Sequence, residues 1–86
     1  MELVFQTVAW EQYEYWQETD KKILHRINDL IKDSLRDTYK GIGKPEPLKG
    51  NYAGCWGRRI NDEHRLVYAV REKRLHILQC RFHYDK

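Results

Sequence analysis

The segment Gly41-Ile42-Gly43-Lys44-Pro45-Glu46-Pro47-Leu48-Lys49-Gly50 constrains the fold of this chain more than any other stretch. Its three glycines and two prolines within ten residues exclude a regular helix and a central strand. Proline lacks the N–H that both ladders use, and glycine loses too much backbone freedom on ordering. The segment therefore divides the chain, and the hydrophobic period changes across it.

Before the divide the pattern is helical. Leu3-Val4-Phe5 suits a short strand, and Thr7 offers an N-cap to a helix in which Ala9, Trp10, Tyr13 and Trp16 recur at helical spacing. Gln17 to Asp20 interrupts that face, and Asp20 is placed to cap a second helix. Its stripe of Ile23, Leu24, Ile27, Leu30, Ile31 and Leu35 is the clearest in the chain, with charges on the other face and Gly41 as terminator. After the divide the text reads as strands: Cys55 to Ile60, His64 to Val70, and Arg74 or Leu75 to Phe82. Asn61-Asp62-Glu63 and Arg71-Glu72-Lys73 supply the turns. The order predicts an α+β fold: an N-terminal strand and two helices packed on one face of an antiparallel sheet completed by three C-terminal strands. With 86 residues the chain suits a single domain, residues 1–86, with a thin core.

Strand parity sorts the side chains further. Leu66, Tyr68 and Val70 share one face, and Arg65, Val67 and Ala69 the other. In the last strand Leu78, Cys80 and Phe82 form the larger apolar set, alternating with Ile77, Gln79, Arg81 and His83. Helices covering the more apolar set would leave Arg65, Gln79, Arg81 and His83 on an open face, with the proline-bounded loop at its rim. Charge agrees with a site there. Residues 1–40 carry six Lys/Arg against eight Asp/Glu, a balance of −2, and residues 41–86 carry ten against five, a balance of +5. A basic half attracts polyanions.

Those residues suit metal-free cleavage of RNA. Attack by the ribose 2′-hydroxyl on the adjacent phosphate needs a base, an acid for the 5′-oxygen and cations aimed at the phosphorane charge. Glu46 stands between Pro45 and Pro47, which restrict its backbone. Histidine is the side chain suited to proton transfer near neutral pH, and His83 stands beside Arg65 and Arg81. His25, His64 and His76 lack such company and read as structural or solvated. His76-x3-Cys80-x2-His83 resembles metal-ligand spacing, but alternation sets His83 opposite the other two, and neither a Cys-x2-Cys pair nor a His-Glu-x2-His motif completes a site. No phosphate-binding glycine pattern is present, so neither metal nor cofactor is expected. Two cysteines, no secretory signal and no apolar run approaching the ~20 residues of a bilayer span predict reduced thiols, a cytoplasmic location and no membrane contact.

Longer motifs carry a resemblance. Tyr15-Trp16-Gln17-Glu18-Thr19-Asp20-Lys21, Gly43-Lys44-Pro45-Glu46-Pro47-Leu48-Lys49, Arg58-Arg59-Ile60, Glu63 to Val70 and Cys80-Arg81-Phe82-His83-Tyr84 together resemble the YoeB-type toxins of the RelE superfamily. The likeness covers almost the entire length. It implies a microbial RNase fold and a ribosome-dependent endoribonuclease that cuts mRNA in the A site, leaving a 2′,3′-cyclic phosphate and a 5′-hydroxyl. It implies Glu46 as general base, His83 as general acid and Arg65 as transition-state stabiliser, with Lys49, Arg59 and Tyr84 binding substrate. Charge and parity add Lys44 and Arg81 as RNA contacts. Asp85 beside His83 would favour the imidazolium that an acid starts from. The implied partners are the ribosome with bound mRNA, a YefM-like antitoxin, and operator DNA only through the toxin–antitoxin complex; the resemblance also admits a homodimer. Two rival readings stand beside it: a ParE-type toxin that shares the fold but acts on DNA gyrase, against which the set at Glu46, Arg65 and His83 counts, and a non-catalytic RNA-binding module that uses the basic sheet only for affinity.

Overall fold

A computed structural model describes residues 1–83, so Tyr84 and Asp85 lie outside the described residues. The chain runs β1 (Glu2–Phe5), α1 (Thr7–Thr19), α2 (Lys21–Arg36), β2 (Glu46–Pro47), a 3-10 turn at Gly50–Tyr52, β3 (Trp56–Arg59), β4 (Arg65–Arg71) and β5 (Arg74–Gln79). Asp20 caps α2 as expected, its carboxylate accepting from the N–H groups of Lys22 and Ile23. Thr7 does not cap α1. Gln6 holds the N-cap position in an extended conformation with no side-chain capping bond, and Thr7 is the first helical residue. The second helix ends at Arg36, several residues before Gly41.

The strand order is β1-β5-β4-β3-β2. The three C-terminal strands pair antiparallel as expected, but β1 lies parallel to β5, so the sheet is mixed. The parallel pairing follows from the connection: β1 feeds two helices that cross one face, and β5 returns beside it only after a hairpin pair. The glycine- and proline-rich segment contributes a fifth strand, the dipeptide Glu46–Pro47, at the sheet edge beside β3, where a proline without an N–H is tolerated.

Register assigns each side chain to a face. Phe5, Ile77, Tyr68 and Trp56 lie in one row, Leu66 and Arg58 in the next, and these point to the helices. They join Ala9, Trp16, Ile27, Leu30, Leu75 and Cys80 in the main core. Val67 and Ala69 belong to the other face, where Leu48, Cys55 and partly buried Tyr52 and Leu78 cover them. The loop after β2 thus builds a second, smaller core and roofs part of the open face.

Parity in the last strand is where the sequence reading fails. Val67 pairs with Gln79 while Tyr68 pairs with Ile77, so Leu78 is an extra residue, a β-bulge. The bulge turns Ile77 to the helices and Gln79 to the open face, although the two are separated by a single residue. It also puts His76, paired with Ala69, on the open face while Cys80 stays in the helix core. The regular strand ends at Gln79, so alternation does not govern Arg81 and His83.

Candidate active site on the open sheet face

Two rows of the open face carry the polar residues. Arg59 and Arg65 are directly opposite each other on β3 and β4. The adjacent row runs Glu46, Gly57, Val67 and Gln79, and Gly57 offers no side chain between Glu46 and Val67. Glu46 is therefore one row from the Arg59–Arg65 pair, at the exposed sheet edge. Its two prolines hold that edge extended. The backbone N–H of Arg59 donates to the Gly43 carbonyl at 2.7 Å, which ties the segment before Glu46 to β3. Lys44 and Lys49 are exposed on either side of the Glu46–Pro47 strand.

Arg65 is only 6% exposed, an unusual burial for a cation. Its Nη1 donates to the carbonyls of Asn61 at 2.6 Å and His64 at 3.1 Å, with Asp62 more distant at 3.4 Å. The Asn61 side chain shapes that turn by accepting from the N–H groups of Glu63 and His64. No carboxylate among the described residues pairs with Arg65. These carbonyl dipoles hold the guanidinium without neutralising its charge.

The turn after β5 is tied to the start of β4, beside Arg65, immediately before His83. Phe82 accepts at its carbonyl from the Arg65 N–H at 3.0 Å and donates its N–H to His64 Nδ1 at 2.7 Å. Cys80 is bolted to α1: its N–H donates to Gln12 Oε1 at 2.8 Å and its carbonyl accepts from Trp16 Nε1 at 2.9 Å. His83, the next residue after Phe82, is exposed. Burial pushes the Cys80 thiol up to about 12, so it is no nucleophile near neutral pH.

The expectation that His64 is structural holds. Its ring meets Trp16 edge-on at 4.9 Å, Nδ1 holds Phe82, and Nε2 lies 3.6 Å from Glu63 Oε1. Burial lowers its pKa, against the opposing pull of Glu63. Arg81 departs from its expected place. Its guanidinium carbon stands 3.7 Å above the Tyr15 ring of α1 rather than on the open face, because the strand has ended before it. Sequence reasoning also passed over Gln12, Trp16 and His64 as anchors of the turn that carries His83; Gln12 and Trp16 lie more than sixty residues from Cys80, which left no local signal for the α1 contacts.

A carboxylate one row from an anchored cation, with a histidine in the turn after the last strand, is a set of residue types able to serve displacement at a phosphate, where charge grows on oxygen. The comparisons with known proteins bear on that reading. Residues 5–84 match the model of the YoeB-like toxin of bacterial type II toxin-antitoxin systems. Toxin YoeB of Escherichia coli K12 is 56% identical over 84 residues, which cover 98% of this chain and all of that protein. A solved YoeB/ParE toxin from Agrobacterium tumefaciens is 52% identical with a TM-score of 0.94, over 98% of this chain and 100% of that one. The Staphylococcus aureus YoeB is 46% identical over 98% of both chains, solved with YefM as a heterotetramer (TM-score 0.88) and also as a dimer (TM-score 0.90). Fold, full-length identity and family model agree, and this chain belongs to the YoeB-like toxins of bacterial type II toxin–antitoxin systems.

Proposed function

We propose that the protein is an endoribonuclease that cleaves mRNA in the ribosomal A site by metal-independent transphosphorylation. Glu46 removes the 2′-hydroxyl proton, the oxygen attacks the adjacent phosphorus, and His83 protonates the departing 5′-oxygen. Arg65 binds the phosphorane oxygens through the part of its fork that the Asn61–His64 turn does not use. The products are a 2′,3′-cyclic phosphate and a 5′-hydroxyl. Lys44, Lys49 and Arg59 hold the message backbone, as Tyr84 does by resemblance; Arg81 acts instead from its stack on Tyr15.

The observation that carries this reading is the partnering of Arg65: buried, fixed by neutral carbonyls, and opposite Arg59 in the row next to Glu46. A gyrase-directed toxin of the same fold has no use for such a fixed cation beside a carboxylate and a histidine. A purely RNA-binding module would not need it buried.

The ribosome supplies what this small basic face lacks. Electrostatic RNA affinity falls steeply with salt, so a handful of cations binds free message weakly, and a ribosome that presents the strand replaces that affinity with orientation. The proposed partners are therefore the ribosome with bound mRNA and a YefM-like antitoxin that neutralises the toxin, with operator DNA reached through their complex. A homodimer gains support from the S. aureus relative and from exposed Leu3, Val8 and Trp10 on β1 and α1. Among the described residues no helix is long and apolar enough to cross a membrane, and translating ribosomes place the activity in the cytoplasm.

Primer extension on translating ribosomes, run beside a gyrase supercoiling assay, tests the proposal. Cleavage at the A site should be far faster than cleavage of the same RNA free in solution, and supercoiling should continue. Equal rates on free and ribosome-bound RNA at physiological salt, or inhibited gyrase with intact message, would overturn it.

A further inference from the structure

Two costly features meet in the turn just before His83. Phe82 adopts φ +71°, a left-handed conformation that a bulky side chain takes only under constraint. Three polar contacts impose it: the Phe82 N–H on His64 Nδ1, and its carbonyl accepting from the Arg65 N–H and from Gln79 Nε2 at 3.1 Å. The conformation presents the ring to solvent at 52% exposure instead of burying it. Beside it, the Nε of Arg81 is buried with no hydrogen-bond partner. The Arg81 guanidinium instead packs over two rings, 3.7 Å from the Tyr15 centroid and 4.5 Å from that of Phe82. An exposed aromatic alone needs no explanation. A strained one, backed by a cation that forgoes a hydrogen bond, does.

We propose that Phe82, backed by Arg81 and Tyr15, is a stacking platform for a nucleobase of the message, the base on the 3′ side of the cleaved bond. The inference rests on the RNA-cleaving reading above. His83 acts on the 5′-oxygen, which belongs to the 3′ nucleotide, and Phe82 is its immediate neighbour. Every base has a π-face, so a ring here grips the strand without reading its sequence. Stacking that base fixes the nucleotide whose oxygen must depart, which turns binding into alignment. The layer of Tyr15 and guanidinium behind the ring holds it against tilting and adds cationic character near the phosphate.

The test crosses protein variants with altered message. Phe82→Gly suits the left-handed backbone and removes little buried surface, so its melting temperature should stay within a few degrees of the wild type. Its single-turnover cleavage of ribosome-bound message should fall roughly 5- to 150-fold, the range of one lost base–aromatic stack. Phe82→Tyr, which keeps the ring, should recover that loss. On a ribosome-bound message abasic at the 3′ nucleotide the wild type should slow by a similar factor, and Phe82→Gly should lose nothing more. Losses that multiply, or a glycine variant that cleaves at the wild-type rate, would overturn the platform. Should Phe82→Gly melt far below the wild type, Phe82→Leu enters the same cycle, and the same non-additivity is required of it. A wild-type protein that fails to cut intact ribosome-bound message brings down the nuclease reading and this inference with it. Normal wild-type cutting with multiplying losses removes this inference alone.

Discussion

Arg58 on β3 and Arg65 on β4 are both buried, at 0% and 6% exposure, yet they lie on opposite faces of the sheet and are partnered in opposite ways. Arg58 spends its entire fork inside the fold. Nε donates to the Tyr68 hydroxyl, Nη1 to Asp33 Oδ2 at 2.6 Å and to the Ile42 carbonyl, and Nη2 to the carbonyls of Asp37, Thr38 and Lys40. It gathers the loop that leads from α2 towards Glu46. Arg36, the Ile42 N–H and Arg58 together hold the Asp33 carboxyl well below the usual carboxylate range, so the ion pair persists across ordinary pH. Burial pushes the Tyr68 phenol up, which keeps it a neutral donor to the Thr38 carbonyl at 2.6 Å. Among the described residues Arg65 donates through one side-chain nitrogen, Nη1, to uncharged carbonyls. A cation with every donor and its charge satisfied is a structural post; in the proposed reading, one held through a single nitrogen keeps donors for a phosphate.

Breaking the Arg58 side of that contrast should give the largest effect. Arg58→Ala strips partners from four carbonyls and leaves the Asp33 carboxylate without its buried partner. A fully buried side chain that ties together this many groups contributes a large share of the stability of a domain this size. Thermal melting should show a collapse of more than ~15 °C, with activity lost through unfolding rather than chemistry. Arg65→Lys should do the reverse. The charge and one donor to the Asn61 carbonyl survive, so the melting temperature should shift little, but the planar fork is gone. Single-turnover cleavage on ribosomes should drop at least roughly 10²-fold with near-normal ribosome binding. A near wild-type rate would reduce Arg65 to general positive potential.

The contrast was only half legible in the sequence. The stripe of Ile23 to Leu35 and the cap at Asp20 are local signals from which α2 follows, as α1 follows from the spacing of Ala9, Trp10, Tyr13 and Trp16. The Lys-Pro-Glu-Pro-Leu-Lys run marks Glu46 because prolines restrict the backbone wherever they stand. Arg58 and Arg59 are adjacent and chemically identical on paper, and only the pleat decides which one is swallowed by the helices. Apart from Tyr68, the Arg58 partners lie 16 to 25 residues away, at Asp33 in α2 and in the unpatterned loop after it, so nothing local announced a hub. Likewise the bulge at Leu78 is set by how β4 and β5 meet and reversed the facing of Ile77, while the end of β5 at Gln79 left Arg81 to stack on Tyr15.

A smaller effect sharpens the account of the turn before His83. His64 must be neutral to accept the Phe82 N–H, and burial, with Arg81 and Arg65 nearby, lowers its pKa despite Glu63. With the folded pKa below the unfolded value of about 6.5, the unfolded chain binds more protons in that interval. The stability from His64 is therefore present above about pH 6.5 and is lost as pH falls through the folded pKa. Melting temperature should decline by a few degrees below pH 6.5 in the wild type. His64→Asn, which keeps an acceptor without titrating, should flatten that part of the profile.

The division of labour among Glu46, Arg65 and His83 is the central claim, and changing the leaving atom tests it most directly. An acid is needed only because a 5′-alkoxide departs poorly, whereas a thiolate departs unaided. The measurement is the single-turnover rate of each variant on ribosome-bound message with oxygen or sulfur at the bridging 5′ position. His83→Ala should be slow with oxygen and largely rescued with sulfur, while Glu46→Gln and Arg65→Ala remain defective on both, since proton removal and phosphorane charge persist. Equal rescue of the Glu46 and His83 variants, or rescue of Glu46→Gln alone, would contradict the assignment.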